Sequence, residues 1–137
     1  ELHAEPPVAL EQEERELTAQ CWAPGNTLLV GADSGEILHV NARTGKRVVG
    51  STWLQVCDGP VRAITVSLKH AVVGGSEGAV IWVTLSGYAV SQRGPWLDAP
   101  VCAVSFSPSF SHLLLASTAG SLSHCAVPEG LLTQAAE

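Results

Sequence analysis

Residues 28–40 read LLVGADSGEILHV, with Gly31 and Gly35 bracketing Ala32, Asp33 and Ser34 between apolar runs. A glycine-rich loop after a strand is one way to cradle phosphate on backbone N–H groups. That chemistry needs a helix N-terminus after the loop and a lysine at its end. Here the loop leads into Glu36-Ile-Leu-His-Val, a strand pattern, and no lysine occurs before Lys46. The loop therefore reads as a hairpin turn, where glycine adopts a positive φ at low steric cost.

Other reactive residues are sparse. The body of the chain has few acids: Asp33, Glu36, Asp58, Glu77 and Asp98, with Glu129 and Glu137 near the end. Asp58 precedes Gly-Pro and Asp98 precedes Ala-Pro, which predicts a turn role with each carboxylate bonding nearby backbone N–H groups. No GxSxG, HExxH or Walker pattern is present, so the chain reads as non-catalytic and without a cofactor. Cys21, Cys57, Cys102 and Cys125 form no CxxC, and His3, His39, His70, His112 and His124 lack zinc spacing with them. His124 and Cys125 should point to opposite faces of a strand. No basic, apolar signal segment precedes these cysteines, so they read as reduced, buried thiols of a cytosolic protein.

Charge narrows the partners. The net charge is −6, and residues 1–16 hold six of the acids against Arg15 alone. The rest of the chain is nearly neutral, which excludes the basic footprint of nucleic-acid binding. That acidic segment reads as a solvated linker or as a docking segment for a basic partner. No run of about 18 apolar residues suggests a membrane span. The chain starts at Glu1 and contains no methionine, the expectation for a piece of a longer or processed polypeptide.

The positioning elements come from a repeat. LLVGADSGEILHVNARTG (28–45) matches AVVGGSEGAVIWVTLSG (71–87) and LLLASTAGSLSHCAVPEG (113–130). Gly35, Gly78 and Gly120 lie 43 and 42 residues apart, and Trp22, Val66 and Phe106, in the stretches before them, lie 44 and 40 apart. Trp53-Leu-Gln-Val-Cys-Asp-Gly-Pro and Trp96-Leu-Asp-Ala-Pro are a third match. Each unit alternates small or polar residues with large apolar ones, as in Ala63-Ile-Thr-Val-Ser67, a period of two. Strands are predicted at 17–23, 27–32, 36–41 and 46–52; at 60–66, 70–75, 79–84 and 88–92; and at 100–106, 112–117, 121–126 and 131–135. The one helical candidate is Val8–Leu17. Four antiparallel strands at this period make a propeller blade. The units divide as an acidic segment 1–16 and blades 17–56, 57–96 and 97–137.

The pattern of apolar strand, Ser-Pro or Ala-Pro, hairpin, Gly-Ala-Asp-Ser-Gly, strand and Thr-Gly-Lys resembles the WD-repeat family. SGEILHVNARTGK (34–46) and VSFSP (104–108) carry the likeness most closely. Divergent blades with CWAP-type first strands and small-residue turns look most like the large cilia- and flagella-associated WD-repeat proteins. The Trp-Asp pair is absent, its places holding Val40-Asn41, Val83-Thr84 and Cys125-Ala126, and the Gly-His pair is absent too. Ser34, Glu77 and Ala119 stand where the turn aspartate is usual. The blade-stiffening polar tetrad of the family therefore cannot form in its usual version. Complete apolar replacement of such a network is nearly neutral, because no partner is left unsatisfied.

The expected fold is all-β, a partial propeller of about three four-stranded antiparallel blades. Three blades leave two apolar sheet faces open, so an arc completed by further blades or by complex subunits is expected. Binding would fall on the two rims of loops. Trp53 and Trp96 each open an inter-blade connection, and are either partner contacts or local packing against a blade edge. Asp58 and Asp98 lie on the same rim. Arg43, Lys46 and Arg47 form the one basic cluster, either a solvated turn or a contact for an acidic partner such as tubulin. His39, Trp82 and His124 hold equivalent places and read as packed rings. The resemblance implies a protein-interaction scaffold, with tubulin or dynein-associated proteins as partners in a ciliary, flagellar or other cytoskeletal assembly. The alternative is a peptide-binding adaptor or substrate receptor in ubiquitin ligation or trafficking.

Overall fold

In a computed structural model, residues 15–48 and 50–127 are described. They form eleven strands in three antiparallel sheets. The first sheet holds β1 (Leu17–Ala23), β2 (Thr27–Ala32), β3 (Glu36–Asn41) and β4 (Leu54–Gln55), paired in chain order. The second holds β5 (Val61–Val66), β6 (His70–Gly75), β7 (Val80–Thr84) and β8 (Ala89–Arg93). The third holds β9 (Val101–Phe106), β10 (His112–Ser117) and β11 (Leu122–Ala126). The architecture is the expected partial propeller, three meandering sheets stacked side by side.

One strand expectation and the helical one need correction. The run 46–52 does not form a continuous fourth strand: Val40 bridges to Arg47, and pairing resumes only where Glu36 and Ile37 meet Gln55 and Leu54. Gly50, at φ +85°, turns the backbone out of the ladder, and the Ser51 hydroxyl takes over there. It accepts from His39 N at 3.1 Å and donates to His39 O at 3.0 Å, the side-chain competition with backbone that serine favours. The helical candidate ends in a strand, since Leu17 opens β1; its residues 8–14, and the predicted strand 131–135, lie outside the described residues.

The period-two alternation divides each sheet between two neighbours. Leu29 and Ile37 of the first sheet pack against Ile64, Val73, Ile81 and Val83 of the second. The other face of the second sheet, with Val72, Val80 and Trp82, packs against Val104, Leu113 and Leu115 of the third. The first strands β1, β5 and β9 lie closest to one another across the stack. Each first-strand pairing slips by one residue, at Leu17/Ala19, Val61/Ala63 and opposite Ala116/Ser117. Such a bulge bends a strand and sharpens its twist.

Backbone contacts fix the spacing. Gly31 in β2 lies against Val61 of the next sheet, and Gly74 in β6 lies against Val101, so a Cβ at either glycine would overlap the valine. Both valines are fully buried, each contributing about 1.5–3 kcal/mol of hydrophobic stabilisation. The connection to the next sheet then runs over the turn glycine. Val56 N donates to Gly35 O at 2.9 Å and Leu97 N to Gly78 O at 2.9 Å. A Cβ on Gly35 would strike the Cys57 carbonyl, and one on Gly78 the Leu97 carbonyl. Gly120 shares the positive φ of the other two but has nothing within 4 Å of its Cβ direction. Gly35→Ala and Gly78→Ala are therefore expected to cost about 3 kcal/mol or more each, from strain and overlap together, and Gly120→Ala about 1 kcal/mol from strain alone. Urea unfolding of the three variants measures the difference; equal losses would show that the connection does not rest on the turn.

Candidate protein-interaction rims

The turns at 32–35, 75–78 and 117–120 share a rim with the connections between sheets. Asp33 N donates to Glu16 O at 2.8 Å and Thr118 N to Pro100 O at 2.9 Å, tying the first and third turns to the chain that enters a first strand. The two tryptophans of this rim differ. Trp53 is half-buried, packs beside Val30, Leu38 and Val40, and carries the Arg15 guanidinium 4.5 Å above its ring. Arg15 Nε also donates to Glu36 Oε1 at 2.9 Å, and Ser34 Oγ donates to the same oxygen at 2.7 Å. These bonds hold the Glu36 carboxyl below the usual carboxylate range, Arg15 first and Ser34 second. Trp96 is 62% exposed and borders a cavity of about 290 Å³ with Gln55, Cys57, Asp58, Glu77 and Arg93.

The paired aspartates also part company. Asp98 Oδ2 accepts from Ser121 Oγ at 2.9 Å and Oδ1 from Ser117 Oγ at 3.1 Å, so it ties the connection to the third turn. These are side-chain hydroxyls rather than the backbone N–H groups expected from the Asp-Ala-Pro pattern. Asp58 is exposed, and the positions equivalent to the two serines are Gly75 and Ala79, which have no hydroxyl to offer. It faces the cavity beside Trp96 instead.

On the opposite rim, Asn41 builds the 41–46 turn. Its Oδ1 accepts from Arg43 N at 2.9 Å and Thr44 N at 3.1 Å, while its N donates to Lys46 O at 2.8 Å. The turn leaves Arg43 and Lys46 exposed, and Arg47 half-buried in its bridge to Val40. Arg43 borders a second cavity, about 490 Å³, with Trp22, which is 65% exposed. In the sequence Trp22 marks the repeat and gives no sign of this exposure; its equivalents Val66 and Phe106 pack into the cores between sheets. Glu77 and Arg93 also join the rim without being sequence candidates. The signal for Glu77 is its charge, which neither Ser34 nor Ala119 carries at the equivalent turn position.

Of the aligned rings, His39 and Trp82 are packed, whereas His124 is exposed, against the expectation for it. His39 Nε2 lies 2.6 Å from Thr27 Oγ1 and its ring stacks on Tyr88 at 6.5 Å; burial pushes its pKa down. Trp82 Nε1 donates to Gly94 O at 3.2 Å and meets Phe106 edge-on. His124 stacks on His112 at 5.0 Å on the outer face of the third sheet, while Cys125 points inward to the core, opposite faces as the strand requires. The four cysteines are free; Cys57 is buried, Cys21 and Cys125 half-buried, and Cys102 exposed, against the expectation that all four are buried. Among the described residues, no three His, Cys, Asp or Glu side chains converge as a metal site, and no helix is long and apolar enough to cross a membrane.

Known proteins share this architecture. No protein-family model matches the chain. A curated relative, cilia- and flagella-associated protein 43 of Xenopus laevis, is 28% identical over 112 residues, 74% of this chain. The chain spans only 7% of that protein's length. Among solved structures, a chain of the crystal structure of the mitotic checkpoint complex superposes with a TM-score of 0.75 at 12% identity, over 83% of this chain and 35% of that one. The chain has the fold of a β-propeller segment, and these likenesses support its resemblance to WD-repeat proteins. Its divergence from the family's polar tetrad is accommodated by burial: Val40 and Val83, in place of the tryptophan, are almost entirely enclosed. Across the first junction, Thr18 Oγ1 donates to Val61 O at 2.6 Å, a polar tie between sheets.

Two titrations test this geometry. The Asp98 carboxyl, held down first by Ser121 and then by Ser117, should titrate below the ordinary aspartate range in an NMR pH series and rise in Ser121→Ala. Because its pKa is depressed, its contribution to stability is complete above the unfolded value and is lost as pH falls through the folded one. Cys57 should resist alkylation. Burial, then the charges of Asp58 and Glu77, push its thiol up to about 11, so little thiolate forms near pH 8. Exposed Cys102 should react well ahead of it, and mass-mapped labelling reads the order.

Proposed function

We propose that the chain is a non-catalytic protein–protein interaction scaffold, an arc of a larger WD-repeat propeller within a ciliary, axonemal or other cytoskeletal complex. The observation that carries this reading is the outer face of the third sheet. Leu29 and Ile37 on the first sheet, and Val72 and Val80 on the second, are 0% exposed. Their repeat equivalents on the third sheet, Leu114 and Leu122, are 43% and 71% exposed. The same positions that bury two junctions stand open at the third, and the space above Gly120, filled at Gly35 and Gly78 by a connection, is empty among the described residues. A further blade or a complex subunit with a blade-like face fits both features. The ciliary setting draws support from the likeness to cilia- and flagella-associated protein 43, and tubulin or dynein-associated proteins are the partners proposed.

Light scattering of the isolated chain should report self-association or aggregation through this face, and Leu122→Glu should reduce it without unfolding the sheets. A well-folded, monodisperse parent monomer would overturn the arc. For the setting, tagged protein from ciliated cells should co-purify with tubulin and dynein-associated proteins through a salt wash. Recovery with soluble ligase or coat subunits instead would favour an adaptor.

A further inference from the structure

The cavity bordered by Trp96 holds two carboxylates that, among the described residues, have no cation of their own. Asp58 and Glu77 are exposed and face it from opposite sides of the first junction, one from the connection and one from the second turn. Arg93 lines the same cavity and forms an ion pair with neither acid; its Nη1 donates to Val56 O at 3.0 Å, and its charge offsets one of the two carboxylates. The repeat supplies an internal control. At the second junction the equivalent aspartate, Asp98, is consumed by Ser117 and Ser121 in a purely structural clamp. At the first, Gly75 and Ala79 replace both serines, which leaves Asp58 available while keeping the turn. Cys57, which also lines the cavity, has its ionisation opposed first by burial and then by Asp58 and Glu77, with Arg93 acting the other way.

Size and shape choose the occupant. A volume of about 290 Å³ is at the lower limit of small-molecule pockets and suits one long side chain. Trp96 offers an open ring at the mouth, and a planar guanidinium both stacks on an indole and forks onto carboxylates. An ammonium would gain the charge but not the stacking. We propose that this cavity, lined by Trp96, Asp58 and Glu77, receives an arginine side chain from an extended segment of a partner protein. The inference rests on the protein-binding reading of the rim and adds the chemical class of its ligand.

The test uses the full chain with ¹⁵N-labelled tryptophan and a blocked peptide, acetyl-Gly-Gly-Arg-Gly-Gly-amide, at low salt. The Trp96 indole resonance, assigned by its loss in Trp96→Phe, should shift saturably. The matching citrulline peptide, equal in shape but uncharged, should bind about tenfold or more weakly, and so should the Arg peptide to the Asp58→Asn/Glu77→Gln variant. Asp98→Asn should bind like the parent. Both acids are exposed, so the double variant should keep the parent's thermal midpoint. Equal response to arginine and citrulline, or undiminished binding by the double variant, overturns the inference. Co-purification is the separate readout for the scaffold: partners retained by a chain that ignores the arginine probe would sink the pocket alone.

Discussion

Everything in this molecule depends on the approach of one sheet to the next across a glycine. Val61 sits where Gly31 has no side chain, and Val101 where Gly74 has none. That contact sets the distance between sheets, and the rest of each apolar face closes around it. A few residues before each valine, the chain crosses above the turn glycine of the sheet it has left, bonded to its carbonyl. The two contacts together fix both the separation and the angle at which a sheet succeeds its predecessor. Interiors are close-packed, so a single added methyl at these points cannot be absorbed by slack elsewhere.

The device is modular, and modularity leaves an end. A sheet whose two faces are both apolar is stable only between neighbours, and the arrangement that builds the first two junctions offers the third face unchanged. Leu114 and Leu122 hold the places of core residues, and nothing among the described residues covers them. The first sheet is managed differently among the described residues: Val30, Leu38 and Val40 form a small cluster beside Trp53, over which Arg15 lies while paired with Glu36. Among the described residues, the first sheet thus has a local cover of aromatic and ionic character, and the third exposes Leu114 and Leu122.

Within a repeat, departures from equivalence separate support from recognition. Asp58 and Asp98 occupy the same place, yet one is spent on two serine hydroxyls and the other faces a cavity. Trp53 and Trp96 also open equivalent connections, yet one lies in a packed cluster and the other is largely exposed. The copies act as controls for each other, since the backbone is shared and only side chains differ.

Much of this was legible in the chain itself. The period of Gly35, Gly78 and Gly120, with alternation between small and large residues, determined the strands, their antiparallel order and the blade. Local patterns suffice there, because a strand's faces alternate whatever it packs against. The break in the fourth strand of the first unit was not legible, because Gly50 and Ser51 become informative only once His39 lies opposite them. The exposure of Trp96 against the burial of Trp53, the freedom of Asp58 and the openness of Trp22 were decided by tertiary structure alone. Each depends on what residues more than ten positions away in the chain present beside it, and no local spacing encodes that.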